Sequence, residues 1–586
     1  MAFPDWLRHR FSDTERYLII WVITGVACGV AAVLFHEAIG LLWHAIVRTG
    51  QSFAEPWQGY LFLGLSPALG GLLTGICLWK FAPDAAGSGI PQTKVRYYRD
   101  FGFFRLREAT WRFVLGTLSV GMGMSLGREG PTVHLCAAIA SKIGQWFGLA
   151  KKRVQAMVPL GMGAGIAAAF NTPMAAVFFV FEELLGDFSS KSFFGIFISV
   201  VIAAVINRLW LGESPAFDIA FAGPVHTEPW MLLCIPLGIL AAVFGRAFVA
   251  ALLWARRMAR ESLLPIWARP FAGGLGVGII GVTVLIVSEG HMGIFGIGYD
   301  DADEVLNGRL LSVSIVLMLF VGKFAATIIA YASGGSGGLF APTLFIGAML
   351  GGLVGIGGDA VFGLGPEVVG PMALLGMGAL FASVIRCPLT SIVIIWEMTG
   401  QYALILPLII GNALAWIISS RWQAVPLYDA LLLQDKISLK RMPHYRGDQD
   451  WRNLPVSTIM TFDVVAVGAE ETVGGALERI REEGNKHHGY PILSAGQLSG
   501  MTTHHELEEF ARTEPDRLVG SLRSKREKLI AVTPEQSIRD VAQTLVVEDV
   551  MQVPVVSPKE RGKMLGIVTL HDIARQQNAI DATIGR

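Results

Sequence analysis

The sequence predicts an all-α polytopic membrane domain of two related, inverted halves with broken helices, followed by a small α/β domain. Three observations predict it: long apolar blocks up to about Ser420, an internal repeat within those blocks, and a change to mixed Lys, Arg, Glu and Asp beyond Arg421.

The chain has 586 residues, of which 53% are hydrophobic and 16% charged, whereas soluble domains carry about 25% charged residues. A span of the hydrocarbon core needs roughly 20 apolar residues. Tyr17–Phe35, Leu61–Phe81, Met231–Leu253 and Leu311–Tyr331 meet that length with few or no charges, and roughly ten or more such blocks are visible. Runs this long are rare in soluble cores, which excludes a large soluble protein. The formal net charge of zero sums two unlike parts and implies nothing about partners. Cys28, Cys77, Cys136, Cys234 and Cys387 all sit in apolar blocks without pairing or metal-ligand spacing, so they read as packing residues. The N-terminus is polar and basic (Arg8, Arg10, Arg16) and lacks a small-residue cleavage site, unlike a signal peptide.

Basic residues cluster at Lys94, Arg96, Arg99, Arg105 and Arg107, at Lys142, Lys151, Lys152 and Arg153, and at Arg256, Arg257 and Arg260. Glu213 to Glu228 is acidic, as is the run Asp300, Asp301, Asp303, Glu304. The positive-inside rule places the basic loops, the N-terminus and the charged tail in the cytoplasm.

The apolar part repeats itself. Gly161-Met-Gly-Ala-Gly, Pro173 and Glu182 superpose on Gly376-Met-Gly-Ala, Pro388 and Glu397 at a constant offset of about 215 residues. Two related halves in one membrane domain are the pattern of transporters whose site lies where the halves meet. The 68 glycines concentrate in short runs inside apolar segments. Most fit close helix packing through small residues. Some mark broken helices, where backbone N–H groups are freed to face an ion.

Three breaks stand out: Gly87-Ser88-Gly89-Ile90-Pro91, Gly127-Arg128-Glu129-Gly130-Pro131, and Ser336-Gly337-Gly338-Leu339-Phe340-Ala341-Pro342. Each joins flexible residues to a proline, which favours the first turn of a helix. Each therefore predicts a helix starting at membrane depth, with free N–H groups and a partial charge of roughly +0.5 e. Several aimed at one point make an anion site without a full positive charge. Such a site binds an ion and still releases it, where a buried lysine would hold it too tightly.

With these motifs in this order, the chain over roughly Phe11 to Ala430 resembles the CLC family of chloride channels and proton-coupled chloride transporters, of the prokaryotic type. The resemblance implies transport of chloride and similar anions, with Ser88 donating its hydroxyl to the central anion. Gly89, Ile90, Leu339 and Phe340 would surround the anion, the last three through backbone N–H groups. Tyr428, in Pro426-Leu427-Tyr428, would close the inner side of the site; without the resemblance it reads as an interfacial anchor. Glu129 would be the gate and the proton carrier. A carboxylate at membrane depth is expensive and by default functional, and its negative group can occupy an anion's place until protonation frees it. An ion pair with Arg128 is the alternative for Glu129, and a helix cap the alternative for Ser88.

Glu182 aligns with Glu397 in the repeat, which suggests that both hold helix ends in place. Glu183 has no acidic counterpart, because Met398 takes its position. In the family, a glutamate matching Glu183 receives protons from the cytoplasm in many coupled transporters, and channels usually lack it. The resemblance thus favours a chloride/proton antiporter gated by Glu129, with a passive voltage- or ligand-regulated chloride channel of the same fold as the alternative. It further implies a homodimer in the cell (inner) membrane, with a pathway in each subunit.

The domain boundaries read as 1–430 for the transport domain, 431–453 for the linker and 454–586 for the tail. Within the tail, Tyr490-Pro-Ile-Leu then Gly500-Met-Thr-Thr503 parallels Val553-Pro-Val-Val then Gly566-Ile-Val-Thr569, with helical stretches Val473–Glu482 and Ile538–Glu548 before them. Alternating helices and short apolar strands make a small α/β unit. This resembles a pair of CBS domains, which in many proteins bind an adenine nucleotide. Thr569 and Asp572 in Thr569-Leu-His-Asp572 would hold the ribose, with Thr503 in the first copy. The first copy has Glu506 where the second has Asp572, and a structural pair serving dimer contact or stability is the alternative.

No cofactor is required by this reading, and no phosphate-cradling Gly-x-x-x-x-Gly-Lys-Ser/Thr occurs, so ATP hydrolysis is not an energy source. A cation transporter would need more acidic residues along a pathway than the apolar blocks offer. An intramembrane enzyme would need a His/Cys metal cluster or a Ser/His/Asp grouping, and none is visible in the spans. No metal site and no nucleic-acid partner are expected.

Overall fold

In hydrocarbon every backbone N–H and C=O must be paired within the segment, and the apolar blocks fold accordingly as helices. The computed structural model describes residues 13–186, 193–212, 217, 219, 229–437, 439, 451–484, 487–522, 529–558, 560 and 562–584. Arg8, Arg10, most of the acidic stretch 213–228 and most of the polar linker at 440–450 lie outside the described residues. The chain divides into two units, Met1–Arg441 and Met442–Arg586.

Among the described residues of the first unit, nine helices are long and apolar enough to cross a membrane, including Glu15–Gln51, Arg269–Val287 and Phe340–Phe362. Leu34, Leu41, Leu61, Ile279 and Val321 point outward from these helices and are exposed, where a soluble protein would place charge. The number falls short of the apolar blocks in the sequence because breaks cut some of them short. Pro173–Phe179 runs into a π-helical turn, Val180–Leu185, and Pro388–Thr399 stops after 12 residues.

The two halves repeat one arrangement. Gly161, in helix Lys151–Phe170, packs on helix Glu129–Trp146, where an added Cβ would lie 2.7 Å from the Ala140 Cβ. Its counterpart Gly376, in helix Val369–Val384, packs on helix Phe340–Phe362, where an added Cβ would lie 2.7 Å from the Gly351 Cα. At the centre, Gly127 and Gly338 each stand two residues before the first residue of their helix and pair antiparallel, N–H to O at 2.8 and 2.6 Å. Antiparallel pairing of equivalent residues is the local geometry of an inverted repeat.

Glu182 and Glu397 complete it. Glu397 accepts from the N–H groups of Met174 (2.9 Å) and Ala175 (2.8 Å), at the start of helix Pro173–Phe179. Glu182 accepts from the N–H groups of Leu389 (3.0 Å) and Thr390 (2.8 Å), at the start of helix Pro388–Thr399. Each carboxylate satisfies two orphan donors of the other half and meets the positive end of its dipole. Glu397→Ala is therefore expected to destabilise the membrane unit by about 2 kcal/mol, read as earlier thermal unfolding in detergent, with Glu182→Ala costing a similar amount.

In the second unit, Val467–Gly468 pairs parallel with Gly489–Ser494, which pairs antiparallel with Gln497–Thr503. The second copy repeats the plan: Val532 bridges Val555 in parallel, and Gln552–Val556 pairs antiparallel with Met564–Thr569. Helices Val473–Glu482 and Ile538–Val547 precede the two hairpins. Each copy has its own core, one around Val467, Leu477, Tyr490 and Ile492, the other around Val541, Leu545, Val553 and Val568.

Candidate functional site

The three glycine–proline breaks become three helix starts: Ile90–Arg99, Glu129–Trp146 and Phe340–Phe362. In the latter two the proline is the third helical residue, so the first turn offers only two N–H groups, and intrahelical bonding resumes at Thr132 (to Arg128, 3.0 Å) and Thr343 (to Leu339, 3.1 Å). The orphan donors are therefore those of Glu129, Gly130, Phe340 and Ala341.

Glycine is needed where these starts meet. Gly89 has φ of +90°, and an added Cβ would lie 2.9 Å from the His134 Cβ. At Gly130 an added Cβ would lie 2.5 Å from the Ser88 Oγ. No residue with a side chain fits either position without moving its neighbour.

Glu129 is fully buried. Its Oε2 accepts from the Ala341 N–H at 3.4 Å, while Oε1 has no hydrogen-bond partner among the described residues. The Tyr299 hydroxyl faces the carboxylate without reaching hydrogen-bond geometry. Arg128 donates to the Ala169 carbonyl at 3.1 Å. A carboxylate of one half thus lies on the helix start of the other.

Ser88 is buried next to Gly130, and its N–H donates to the Tyr331 hydroxyl at 3.4 Å. The Tyr428 hydroxyl lies near the Ser88 hydroxyl, yet among the described residues neither has a hydrogen-bond partner of normal geometry. A buried hydroxyl left unsatisfied costs about 1–3 kcal/mol, so two facing one locus point to a ligand that accepts from both. Ile90, Leu339 and Phe340 are fully buried, with Phe340 held between the rings of Phe170 (4.8 Å) and Phe381 (4.4 Å). Tyr428 is the second residue of helix Leu427–Gln434, whose far end is clamped by Arg256, with Nη1 2.9 Å from Asp435 Oδ1 and Nη2 2.9 Å from Oδ2.

Sequence reasoning missed three residues at this locus. Arg112 is buried and donates through Nη1 to the carbonyls of Ala85 (2.7 Å), Ala86 (3.2 Å) and Gly87 (2.9 Å). It takes up the carbonyls before Ser88, which an anion would avoid. Tyr331 and Tyr299 had no local signal beyond an aromatic residue in or beside an apolar stretch.

Lys94 requires a correction. The sequence groups it with loop cations, but it lies in helix Ile90–Arg99 with no exposure. Its Nζ is 2.5 Å from Glu183 Oε1 and 2.5 Å from Asp429 Oδ1. Cys387, read as a packing residue, also donates its thiol to Glu183 Oε2 at 3.6 Å. Elsewhere, His291, Asp301 and Glu304 bring potential ligand atoms within 4.8 Å of one another. There Asp301 accepts from His291 Nδ1 (2.9 Å) and the Gly293 N–H (2.5 Å), which makes it a clamp for the Gly290–Gly298 loop.

In the tail, Thr569 and Asp572 cap one helix: the Thr569 N–H (3.0 Å) and Oγ1 (2.8 Å) both donate to Asp572 Oδ2. Thr503 and Glu506 do the same in the first copy, the Thr503 N–H donating to Glu506 Oε2 at 2.9 Å. The replacement of Asp572 by Glu506 between copies thus preserves a capping box.

Helices that begin inside an apolar domain, with their free donors gathered at one buried locus where two inverted halves meet, define an integral membrane protein built around an anion site. The chain belongs to the voltage gated chloride channel family, which matches residues 70–420, and its tail matches the CBS domain over 456–511 and 519–578. It is 30% identical over 432 residues to the H(+)/Cl(-) exchange transporter ClcA of Salmonella paratyphi B, covering 71% of this chain and 88% of that one. ClcA of Salmonella newport matches equally. Among solved structures, a slow cyanobacterial Cl-/H+ antiporter is similar at 29% identity and a TM-score of 0.65, over 72% of this chain and 98% of that one. A eukaryotic CLC transporter, 21% identical with a TM-score of 0.62 over 95% of this chain and 98% of that one, shares the fold.

Proposed function

We propose that this protein exchanges chloride for protons across a membrane. The observation that carries the reading is the Glu129 carboxylate lying on the Ala341 N–H: an anionic group of the chain itself occupies a helix start suited to a halide. Ser88, Gly89, Ile90, Leu339, Phe340 and Tyr428 form the anion site, Glu129 is the gate and outer proton carrier, and Glu183 is the inner proton acceptor. The names of the relatives, exchange transporter and antiporter, support exchange over passive conduction. So does Glu183, buried beside the Tyr428 helix with a cation for company. The process makes and breaks no covalent bond beyond proton transfer, which is why no enzymatic role is proposed.

The same reading has a homodimer in the cell (inner) membrane, with both termini cytoplasmic, a transport domain over 1–430, a linker over 431–453 and a CBS pair over 454–586. In that pair, Thr503, Thr569 and Asp572 are the positions for an adenine nucleotide. Their commitment to helix caps favours a structural pair, because a ribose would have to displace the caps.

The test is transport by purified protein in sealed vesicles. A chloride gradient is expected to drive protons against their own gradient, and chloride flux without proton movement would refute exchange. Ser88→Ala is expected to weaken chloride binding about tenfold, the worth of one hydrogen bond to a charged group, measured by titration calorimetry.

A further inference from the structure

Lys94 carries no role in the reading above, yet its position is costly, because an ammonium taken fully out of water must be compensated. Two carboxylates compensate it, each 2.5 Å from Nζ: Glu183 Oε1 and Asp429 Oδ1. Three segments remote in sequence are joined at that nitrogen. Helix Ile90–Arg99 leads from Ser88, the π-helical turn Val180–Leu185 carries Glu183, and helix Leu427–Gln434 carries Asp429 directly after Tyr428. Both oxygens of Glu183 are engaged, Oε1 by Lys94 and Oε2 by the Cys387 thiol.

We propose that Lys94 is a positioning residue that couples the proton step at Glu183 to the anion step at Tyr428. The inference rests on the exchange reading. In the deprotonated state the ammonium holds Glu183 in one orientation and divides its attraction between Glu183 and Asp429. When Glu183 accepts a proton, carboxylate becomes carboxylic acid and the Lys94–Glu183 ion pair is reduced to a neutral hydrogen bond. The attraction then concentrates on Asp429, which adjoins the hydroxyl that closes the anion site. When the proton moves on toward Glu129, the carboxylate is restored and the division returns. One cation thus reports the protonation of Glu183 to the helix that bears Tyr428, without entering either pathway.

The experiment measures chloride flux and chloride-driven proton flux in vesicles for wild type, Lys94→Met, Lys94→Arg, Asp429→Asn, Glu183→Gln and the Lys94→Met/Glu183→Gln double variant. Lys94→Met is expected to lose proton flux about tenfold, within the range of coupling between linked sites, while chloride flux stays within about threefold. Lys94→Arg is expected to restore coupling, because it keeps the charge. The double variant is expected to match Glu183→Gln alone, because Lys94 acts through Glu183. Lys94→Met with undiminished proton coupling would overturn the proposal. Equal loss of both fluxes without rescue by Lys94→Arg would also overturn it, since that is the signature of a merely structural role. Should Lys94→Met fail to fold, Asp429→Asn decides: weakened coupling is expected, and unchanged coupling contradicts the proposal. Wild-type protein that moves no protons would instead overturn exchange itself, and the role of Lys94 with it.

Discussion

Glu129→Gln is expected to conduct chloride with its proton transport lowered about 100-fold or more, the scale of losing a side chain that transfers a proton. The argument is geometric. Glu129 is buried at a helix start, its Oε2 takes a donor from the opposite half, and its Oε1 has no partner among the described residues. The carboxylate therefore competes with a halide for the same N–H groups. Glutamine has nearly the same shape but no charge to compete with and no proton to deliver. Arg128 donates to the Ala169 carbonyl rather than to Glu129, so its charge acts on the carboxylate without a direct hydrogen bond. Flux measurements in vesicles would check this, and a variant still moving protons in a fixed ratio with chloride would remove Glu129 from the proton path.

Glu183→Gln is expected to keep chloride movement and to lower proton transport about tenfold or more. Glu183 lies on the π-helical turn Val180–Leu185 and not on the helix starts at Glu129 and Phe340, so the substitution leaves the chemistry of the Ser88, Phe340 and Ala341 donors unchanged. What changes is the proton acceptor beside Lys94. The substitution also leaves the ammonium with one carboxylate, and removing a partner from a buried pair costs about 3–5 kcal/mol in severe cases; glutamine keeps an oxygen in reach and softens that penalty. Retention of stoichiometric proton flux would return Glu183 to a structural role as the partner of Lys94.

The parts of this site that could be read from sequence are those with local punctuation. Glycine-rich residues leading into a proline punctuate the chain at each of the three breaks, so the helix starts at Ile90, Glu129 and Phe340 are legible from a few residues each. Glu182 and Glu397 were legible because the repeat displays them twice at one spacing, and their reciprocal capping follows from it. The residues that escaped depend on partners far along the chain. Lys94 meets one carboxylate 89 residues away and another 335 residues away, and nothing near it distinguishes a buried ammonium from a loop cation. Its one local signal is that it shares a helix face with Ile90, one turn on. Arg112 likewise lies in an amphipathic run, and its role depends on the carbonyls of Ala85, Ala86 and Gly87, some 25 residues earlier. In the tail the strand and helix order was legible from alternation, whereas the use of Asp572 as a cap required the fold.

The claim on which the account rests is that a halide and the Glu129 carboxylate share one place at the Phe340–Phe362 helix start. Anomalous diffraction from crystals of wild type and Glu129→Gln soaked in bromide tests it most directly. A bromide peak within hydrogen-bond distance of the Ala341 N–H in Glu129→Gln, absent from that spot in wild type, is the expected result. Identical bromide positions in both proteins, with that N–H bare in the variant, would contradict it.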